Sequence, residues 1–316
     1  MKIAFLAAGL TLRGSEVAVR DYARGAREIL GAEVLLAVRW QPDLEHHPVM
    51  AEWRREFPCV VHRGGADLSR QLQERGVQVL YEIKPGRNDG LVVPGVRHCV
   101  HAMFPETEFH GDRYVYVSRW LSRVMTGRED RYVPHLVPRL VSGETLRPAL
   151  GIPAGARVFG RHGGEDTFNL PFVHEAVRRH ARRHPEDHFV FLNTRTVPGT
   201  EGLANVHYLP GTADPGAKAS FLATCDGMLH ARRHGETFGL AVGEFAVLGK
   251  RVLTYGHSRE RAHLEMLGPQ AGIYTDRPSL EQLLRDFQPG AVHGTEYEHH
   301  ADVREVMARF RACFLD

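Results

Sequence analysis

Short apolar runs alternate with amphipathic stretches along most of the chain, and that alternation is the pattern of a parallel sheet covered by helices. The run "KIAFLAA" reads as a strand buried on both faces. The stretch "SEVAVRDYARGAREIL" after it reads as a helix with Val17, Tyr22, Ala26 and Ile29 near one face. "AEVLLAVRW", "VQVLYEI", "RHCVHAMF" and "RYVYVS" continue the first set. A second set opens with "ARVFGRHGG" and runs through the helix "PFVHEAVRRHARRH" and the strands "HFVFLNT" and "ANVHYLP". It closes with "FLATCDGMLHARRHGETFGLAVGEFAVLGKRVLTYG", which alternates helix, strand, loop, helix and strand. Between the sets, "VPHLVPRLVSGETLRPALGIP" carries four prolines and two glycines, more punctuation than either neighbour. The expectation is an α/β chain of two Rossmann-like doubly wound domains, residues 1–140 and 141–316, facing a central cleft at the carboxyl ends of their strands. A C-terminal helix, "ADVREVMARFRACFLD", can cross back over the seam.

Composition narrows the function classes. At 316 residues the chain exceeds what one core usually serves, and 43% hydrophobic with 25% charged residues is a soluble mixture. Net charge is +2 with both signs interspersed, so the concentrated positive face that nucleic acid requires is not expected. Cys59, Cys99, Cys225 and Cys313 are widely spaced without a C-x-x-C pair, which fits a reducing cytoplasm rather than a disulfide framework or a cysteine zinc site. "MKIAFLAAGL" reads as a first strand rather than a signal peptide, because Arg13, Glu16 and a helical pattern follow without a cleavage region. No apolar run approaches the roughly 20 residues that a membrane-spanning helix needs, so membrane association is at most peripheral.

The decapeptide "GETFGLAVGE" carries the most chemistry, with Glu236 and Glu244 eight positions apart around glycine. If "DGMLHA" is a strand and "GLAVGEFAVLG" a helix, Glu236 lies in the connecting loop and Glu244 about one turn into the helix. The amides of Thr237, Phe238 and Gly239 then sit at the helix N-terminus, where unpaired donors and the dipole favour a phosphate. Carboxylates accept hydrogen bonds from vicinal hydroxyls, so amides and carboxylates together match a nucleotide sugar. The alternative is a dipole-stabilised glutamate with a second, solvated one.

The segment "GETFGLAVGEF" resembles the E-x7-E signature of the retaining GT-B glycosyltransferases of family 4, and the similarity extends along most of the chain. "LRGSEVAVRDYARG" resembles the family's glycine-containing loop and first helix. "YVSRWLSRVM" resembles the helix before its linker, and "LRPALGIPAGARVFGR" its entry into the donor domain. The resemblance implies that Glu236 contacts donor sugar hydroxyls and Glu244 the ribose. It implies that Arg161 neutralises the diphosphate and that His101 is directed at the sugar. Gly14, Ser15 and Glu16 would lie at the mouth of the cleft. Family members place a lysine five or six residues after that arginine; here Asp166 and Thr167 stand there. Arg232, Arg233 and Lys218 are the candidates to supply the missing charge, each also readable as a surface residue.

The implied activity is transfer of a hexose-like residue from a nucleotide diphosphate sugar, of UDP or GDP type, with retention of configuration. The acceptor is a hydroxyl on a glycan, a lipid-linked molecule or a small molecule. The resemblance implies no metal and no cofactor beyond the donor. A GT-B-shaped binding protein without turnover is the alternative, and a nucleotide-sugar epimerase or a phosphorylase a third reading. Among the histidines, His180/His184 and His230/His234 have the i, i+4 spacing of zinc ligands, but arginines surround the first pair and a strand end separates the second. "GRHGGED" lacks the G-K-[ST] ending of a triphosphate loop, and no G-x-G-x-x-G follows the first strand. The arginine-rich "AVRRHARRH" is readable as a solvated face, an anionic-membrane patch or an acceptor-phosphate site.

Overall fold

The computed structural model describes all residues except 8, 10–13 and 43, and only the backbone of residues 14, 45 and 48. Most of the loop in "LRGSEVAVRDYARG" therefore lies outside the described residues. The chain divides into two compact units, Met1–Leu136 with Asp302–Asp316, and Val137–Ala301. The break falls slightly before the expected 140/141 boundary.

In the first unit β1 (Lys2–Ala7), α1 (Gly14–Glu28), β2 (Glu33–Arg39), α2 (Pro48–Glu56), β3 (Cys59–His62) and α3 (Gly65–Glu74) succeed one another. They are followed by β4 (Val79–Lys84), β5 (Arg97–Ala102), β6 (Arg113–Tyr116) and α4 (Arg119–Thr126). Among the described residues these strands form one parallel sheet of six in the order β3-β2-β1-β4-β5-β6. Side chains alternate across a strand, so β1 and β4 feed two cores. Ile3, Phe5, Tyr81 and Ile83 meet Tyr22 and Ala26 of α1 and Trp53 of α2. On the other face Ala4, Leu6 and Leu80 meet Leu68 and Leu72 of α3. Burial on both faces is what makes these strands continuous apolar runs. The buried stripe of α1 runs through Ala18, Val19, Tyr22, Ala23 and Ala26, at steps of three and four, and leaves Val17 half-buried beside it.

The second unit repeats the arrangement. It contains β7 (Val158–Arg161), α5 (Pro171–Arg183), β8 (His188–Leu192), β9 (Val206–Leu209), α6 (Pro215–Thr224), β10 (Gly227–His230), β11 (Gly235–Glu236) and α7 (Leu240–Ala246). Then come β12 (Arg251–Tyr255), β13 (Glu260–Arg261), α8 (Ala262–Leu267), β14 (Gly272–Tyr274) and α9 (Arg277–Asp286). The main sheet is parallel with order β14-β12-β10-β7-β8-β9, while β11 pairs with β13. Phe159, Phe189, Leu229 and Leu253 from the sheet pack on Val173, Ala176 and Val177 of α5 and on Leu280 and Leu284 of α9. Each of these valine, leucine and phenylalanine side chains contributes about 1.5–3 kcal/mol by leaving water. Arginines of α5 and α9 also lace the two helices together: Arg179 lies 3.3 Å from Glu281, and Arg277 lies 2.5 Å from Glu175.

After the second unit the chain returns to the first through α10 (Val303–Phe310) and a wider turn at Arg311–Leu315. Phe310 lies 5.0 Å from the Tyr81 ring and 5.4 Å from that of Tyr22, and Phe314 lies 5.2 Å from Tyr81. Arg309 donates to the Tyr132 carbonyl at 2.6 Å. Asp302–Asp316 thus packs with the first unit rather than with residues 141–301.

Candidate functional site

Sheet order locates the site within the second unit. Successive strands from β7 run outward through β8 and β9, whereas β10 lies on the other side of β7 and continues through β12 to β14. The order therefore reverses between β7 and β10, and open α/β sheets bind ligands outside the carboxyl ends of their strands at that point. Arg161 ends β7 and His230 ends β10. Glu236 follows in β11, and Glu244 is the fifth residue of α7.

Glu236 is held from two sides. Arg232 Nη1 donates to Oε2 at 2.6 Å, and His230 Nε2 lies 3.2 Å from Oε1. Burial pushes the carboxyl up, but the hydrogen bond from His230 and the charge on Arg232 outweigh it and hold the group at about 2. Its side chain keeps 19% exposure, so the anion faces outward in part.

Glu244 is deeper, at 1% exposure. Lys218 Nζ, from α6, donates to Oε1 at 2.5 Å. His162 Nε2 lies 2.9 Å from Oε2, yet among the described residues neither atom has a hydrogen bond of good geometry. Burial opposes ionisation, and the charge on Lys218 followed by His162 brings the carboxyl down to about 2. Burial drives His162 itself toward its neutral form, so Lys218 carries the neutralisation.

Between the carboxylates the chain turns sharply. Gly239 has φ 85°, a left-handed conformation that other residues adopt only with strain. At Gly243 an added Cβ would lie 2.7 Å from Tyr297 Cδ1, so the ring of Tyr297 rests directly on the helix backbone. The Tyr297 hydroxyl donates to the Phe238 carbonyl at 2.5 Å. Thr237 and Phe238 are buried, and their side chains anchor the turn rather than line it.

Arg161, at the end of β7, is engaged by protein groups in this structure. Its guanidinium, 3% exposed as a residue, donates to the carbonyls of Asn193 and Gly164 and to the hydroxyls of Thr194 and Thr167. Burial lowers its pKa to about 10, opposed by the charges of Glu236 and Asp166. In this structure it pins two loops at the ends of β7 and β8 and has both terminal nitrogens engaged. Thr167, standing where a lysine was expected, is one of its partners.

His101 belongs to the first unit, and both of its ring nitrogens face protein groups. It is 0% exposed, with Nδ1 2.7 Å from the Tyr81 hydroxyl and Nε2 2.9 Å from the Val133 carbonyl and 3.2 Å from that of Tyr116. Burial lowers its pKa to about 4, which keeps it neutral. Gly14 is the first residue of α1, and the Ser15 hydroxyl donates to Glu16 Oε2 at 2.6 Å.

Three residues that sequence reasoning did not assign stand beside these groups: His162 next to Glu244, and Thr254 and His263 behind His230. His230, which the sequence pairs with His234 at metal-ligand spacing, is buried while His234 is exposed. Among the described residues two groupings have metal-ligand types within reach of one another, Glu82/Asp89/His110 and His184/Glu186/Asp187. Lys84 Nζ sits inside the first, 2.8 Å from Glu82 and 2.9 Å from Asp89, and Arg157 and His180 claim Asp187 in the second. No described helix is long and apolar enough to cross a membrane.

No family model and no curated protein matches the chain. Solved structures do. HepE of Anabaena, crystallised with UDP-glucose, superposes with a TM-score of 0.66 at 15% identity over 99% of this chain and 95% of that one. This is the GT-B fold. AviGT4, a glycosyltransferase involved in avilamycin A biosynthesis, gives 0.64 at 17% identity over 99% of this chain and 97% of that one. The UDP-GlcNAc 2-epimerase of Neisseria meningitidis, bound to UDP-GlcNAc, gives 0.66 at 10% identity over 100% of both chains. At these identities the likeness is one of architecture, and GT-B chains carry more than one chemistry.

Proposed function

We propose that this chain transfers a hexose-like sugar from a nucleotide diphosphate sugar, of UDP or GDP type, to a hydroxyl acceptor with retention of configuration. The observation that carries the reading is the pair of glutamates at the switch point of the second unit. Both are anionic, and Glu244 Oε2 is a buried acceptor with no aligned donor among the described residues. A buried carboxylate oxygen whose neighbour, His162 Nε2 at 2.9 Å, is poorly aligned is incompletely satisfied, and a ribose hydroxyl is a donor of the right kind to complete it. In this reading Glu236, which is partly exposed and flanked by Arg232, accepts hydroxyls of the sugar.

In this reading neither glutamate attacks the sugar. Glu236 holds it, the departing diphosphate meets the amides of Thr237 to Gly239, and the acceptor hydroxyl enters on the face the diphosphate leaves. Positive charge that stabilises the leaving group comes from Arg232, which keeps 26% side-chain exposure beside Glu236, because Arg161 and Lys218 are committed to protein groups here. The acceptor is a glycan, a lipid-linked molecule or a small molecule.

A thermal-shift panel of UDP-, GDP-, ADP- and dTDP-sugars tests donor binding, followed by an assay without acceptor. Stabilisation by one nucleotide class and slow hydrolysis of its sugar support transfer. Binding without any turnover makes the chain a binding protein, interconversion of two donors makes it an epimerase, and stabilisation by none removes the reading.

A further inference from the structure

Behind Glu236 a row of buried side chains leads inward. His230 Nδ1 lies 2.8 Å from Thr254 Oγ1, and the same oxygen lies 3.1 Å from His263 Nε2. Thr254 and His263 are 0% exposed and His230 6%. The two imidazoles are 4.9 Å apart between ring centroids, one on each side of the threonine hydroxyl. The His263 ring also interacts with the Glu236 backbone, although its Nδ1 has no hydrogen bond of good geometry. The Tyr274 hydroxyl donates to the His230 carbonyl at 2.6 Å and fixes the end of β10.

Proton positions along this row are constrained from its outer end. An ionised carboxylate only accepts, so His230 Nε2 carries a hydrogen and donates to Glu236 Oε1. With His230 neutral, its Nδ1 accepts from the Thr254 hydroxyl, whose oxygen accepts from His263 Nε2. With His230 charged, the hydroxyl reverses and donates to His263. A hydroxyl at 254 serves in either case because it is donor and acceptor at once; a methyl serves in neither.

We propose that His230, Thr254 and His263 are positioning residues whose hydrogen-bonded row sets the orientation in which Glu236 accepts hydroxyls of the donor sugar. The proposal rests on the transferase reading above. Nothing in that reading requires the row, since Arg232 alone would neutralise Glu236. What the row adds is direction: one oxygen is anchored to the interior of the sheet and the other to Arg232, which fixes the plane of the carboxylate.

Thr254→Val keeps the shape of the side chain and removes the hydroxyl, and Thr254→Ser keeps the hydroxyl. Calorimetric titration with UDP-glucose and with UDP gives the first readout. Thr254→Val should weaken UDP-glucose about tenfold, as small misplacements of a positioning group do, and leave UDP unchanged, while Thr254→Ser restores the sugar. In a Glu236→Ala background Thr254→Val should cost nothing further. Nitrogen-15 spectra of the histidine side chains in the ligand-free protein give the second. His230 should carry hydrogen at Nε2 in wild type and in both variants, and its Nδ1 resonance should shift in Thr254→Val alone, where the hydrogen bond from the hydroxyl is lost. Equal losses of UDP and UDP-glucose in Thr254→Val, no loss of either, or an unchanged His230 spectrum would each overturn the row. Wild-type protein that binds neither probe removes the UDP-sugar reading and, with it, the role given to the row, a failure distinct from the other three.

Discussion

The Lys218 ammonium lies 2.5 Å from Glu244 Oε1, and the carboxylate it neutralises is 1% exposed. One of the chain's few lysines is therefore spent inside the second unit. Removing it would leave a buried charge without its main partner.

Lys218→Met should accordingly destabilise the protein by about 3 kcal/mol, the usual cost of breaking a buried pair from one side. The double variant Lys218→Met/Glu244→Gln should recover most of that, because the uncompensated charge is gone. Urea denaturation at neutral pH measures both. Equal stability of the single variant and wild type would show that the pair carries no such weight.

Glu236 differs because its side chain keeps 19% exposure and its partner Arg232 keeps 26%. Glu236→Ala should lower transfer at least tenfold in kcat/KM, about 1.4 kcal/mol or more of transition-state stabilisation, with little change in urea midpoint. Glu244→Ala should lower both, since Lys218 and His162 would lose the group they face. An active Glu236→Ala enzyme would remove this residue from the sugar site.

Stability should fall as pH drops below neutrality. His101 and His263 titrate near 6.5 when unfolded, and burial brings them to about 4 and about 3 in the fold. Between those values the unfolded chain binds more protons, so stability is full above about 6.5 and is lost as pH falls through the folded values. For His101 the difference amounts to about 3 kcal/mol. His101→Phe should flatten the stability profile between pH 6.5 and 4, read from urea midpoints at several pH values. Glu236 and Glu244, held at about 2, add a second loss between about 4.3, the ordinary glutamate value, and that folded value. A profile with the same slope in His101→Phe and wild type would refute the first part.

Gly243→Ala drives a methyl to within 2.7 Å of Tyr297 Cδ1 and 3.2 Å of Val137 Cγ1. Overpacking of this kind costs about 1–3 kcal/mol. The melting temperature should fall by several degrees, and nucleotide-sugar affinity should fall with it because Glu244 is the next residue. A variant as stable as wild type would mean that the ring moves aside freely.

The doubly wound pattern was legible because strands buried on both faces announce themselves as apolar runs, as "KIAFLAA" and "HFVFL" do. The short strands β3 and β14 were not, since "CVVH" and "GIY" are too brief to show a period. At the site, the spacing of Glu236 and Glu244 was readable, but the loops that consume Arg161 were not: its partners Asn193 and Thr194 lie about thirty residues away, where no local pattern points. His101 could be placed near a strand end but not among the tyrosines that bury it. The strand end read between His230 and His234 is there, and it sends one ring inward and the other to solvent.

Phe310 and Phe314 cover Phe5, Tyr22 and Tyr81, yet residues 302–316 are translated only after all of Val137–Ala301. On the ribosome, where domains otherwise tend to fold from the N-terminus onward, the first half of the chain waits with an aromatic surface uncovered until its closing segment emerges. A nascent chain stalled before that segment is the species in which a chaperone has most to hold.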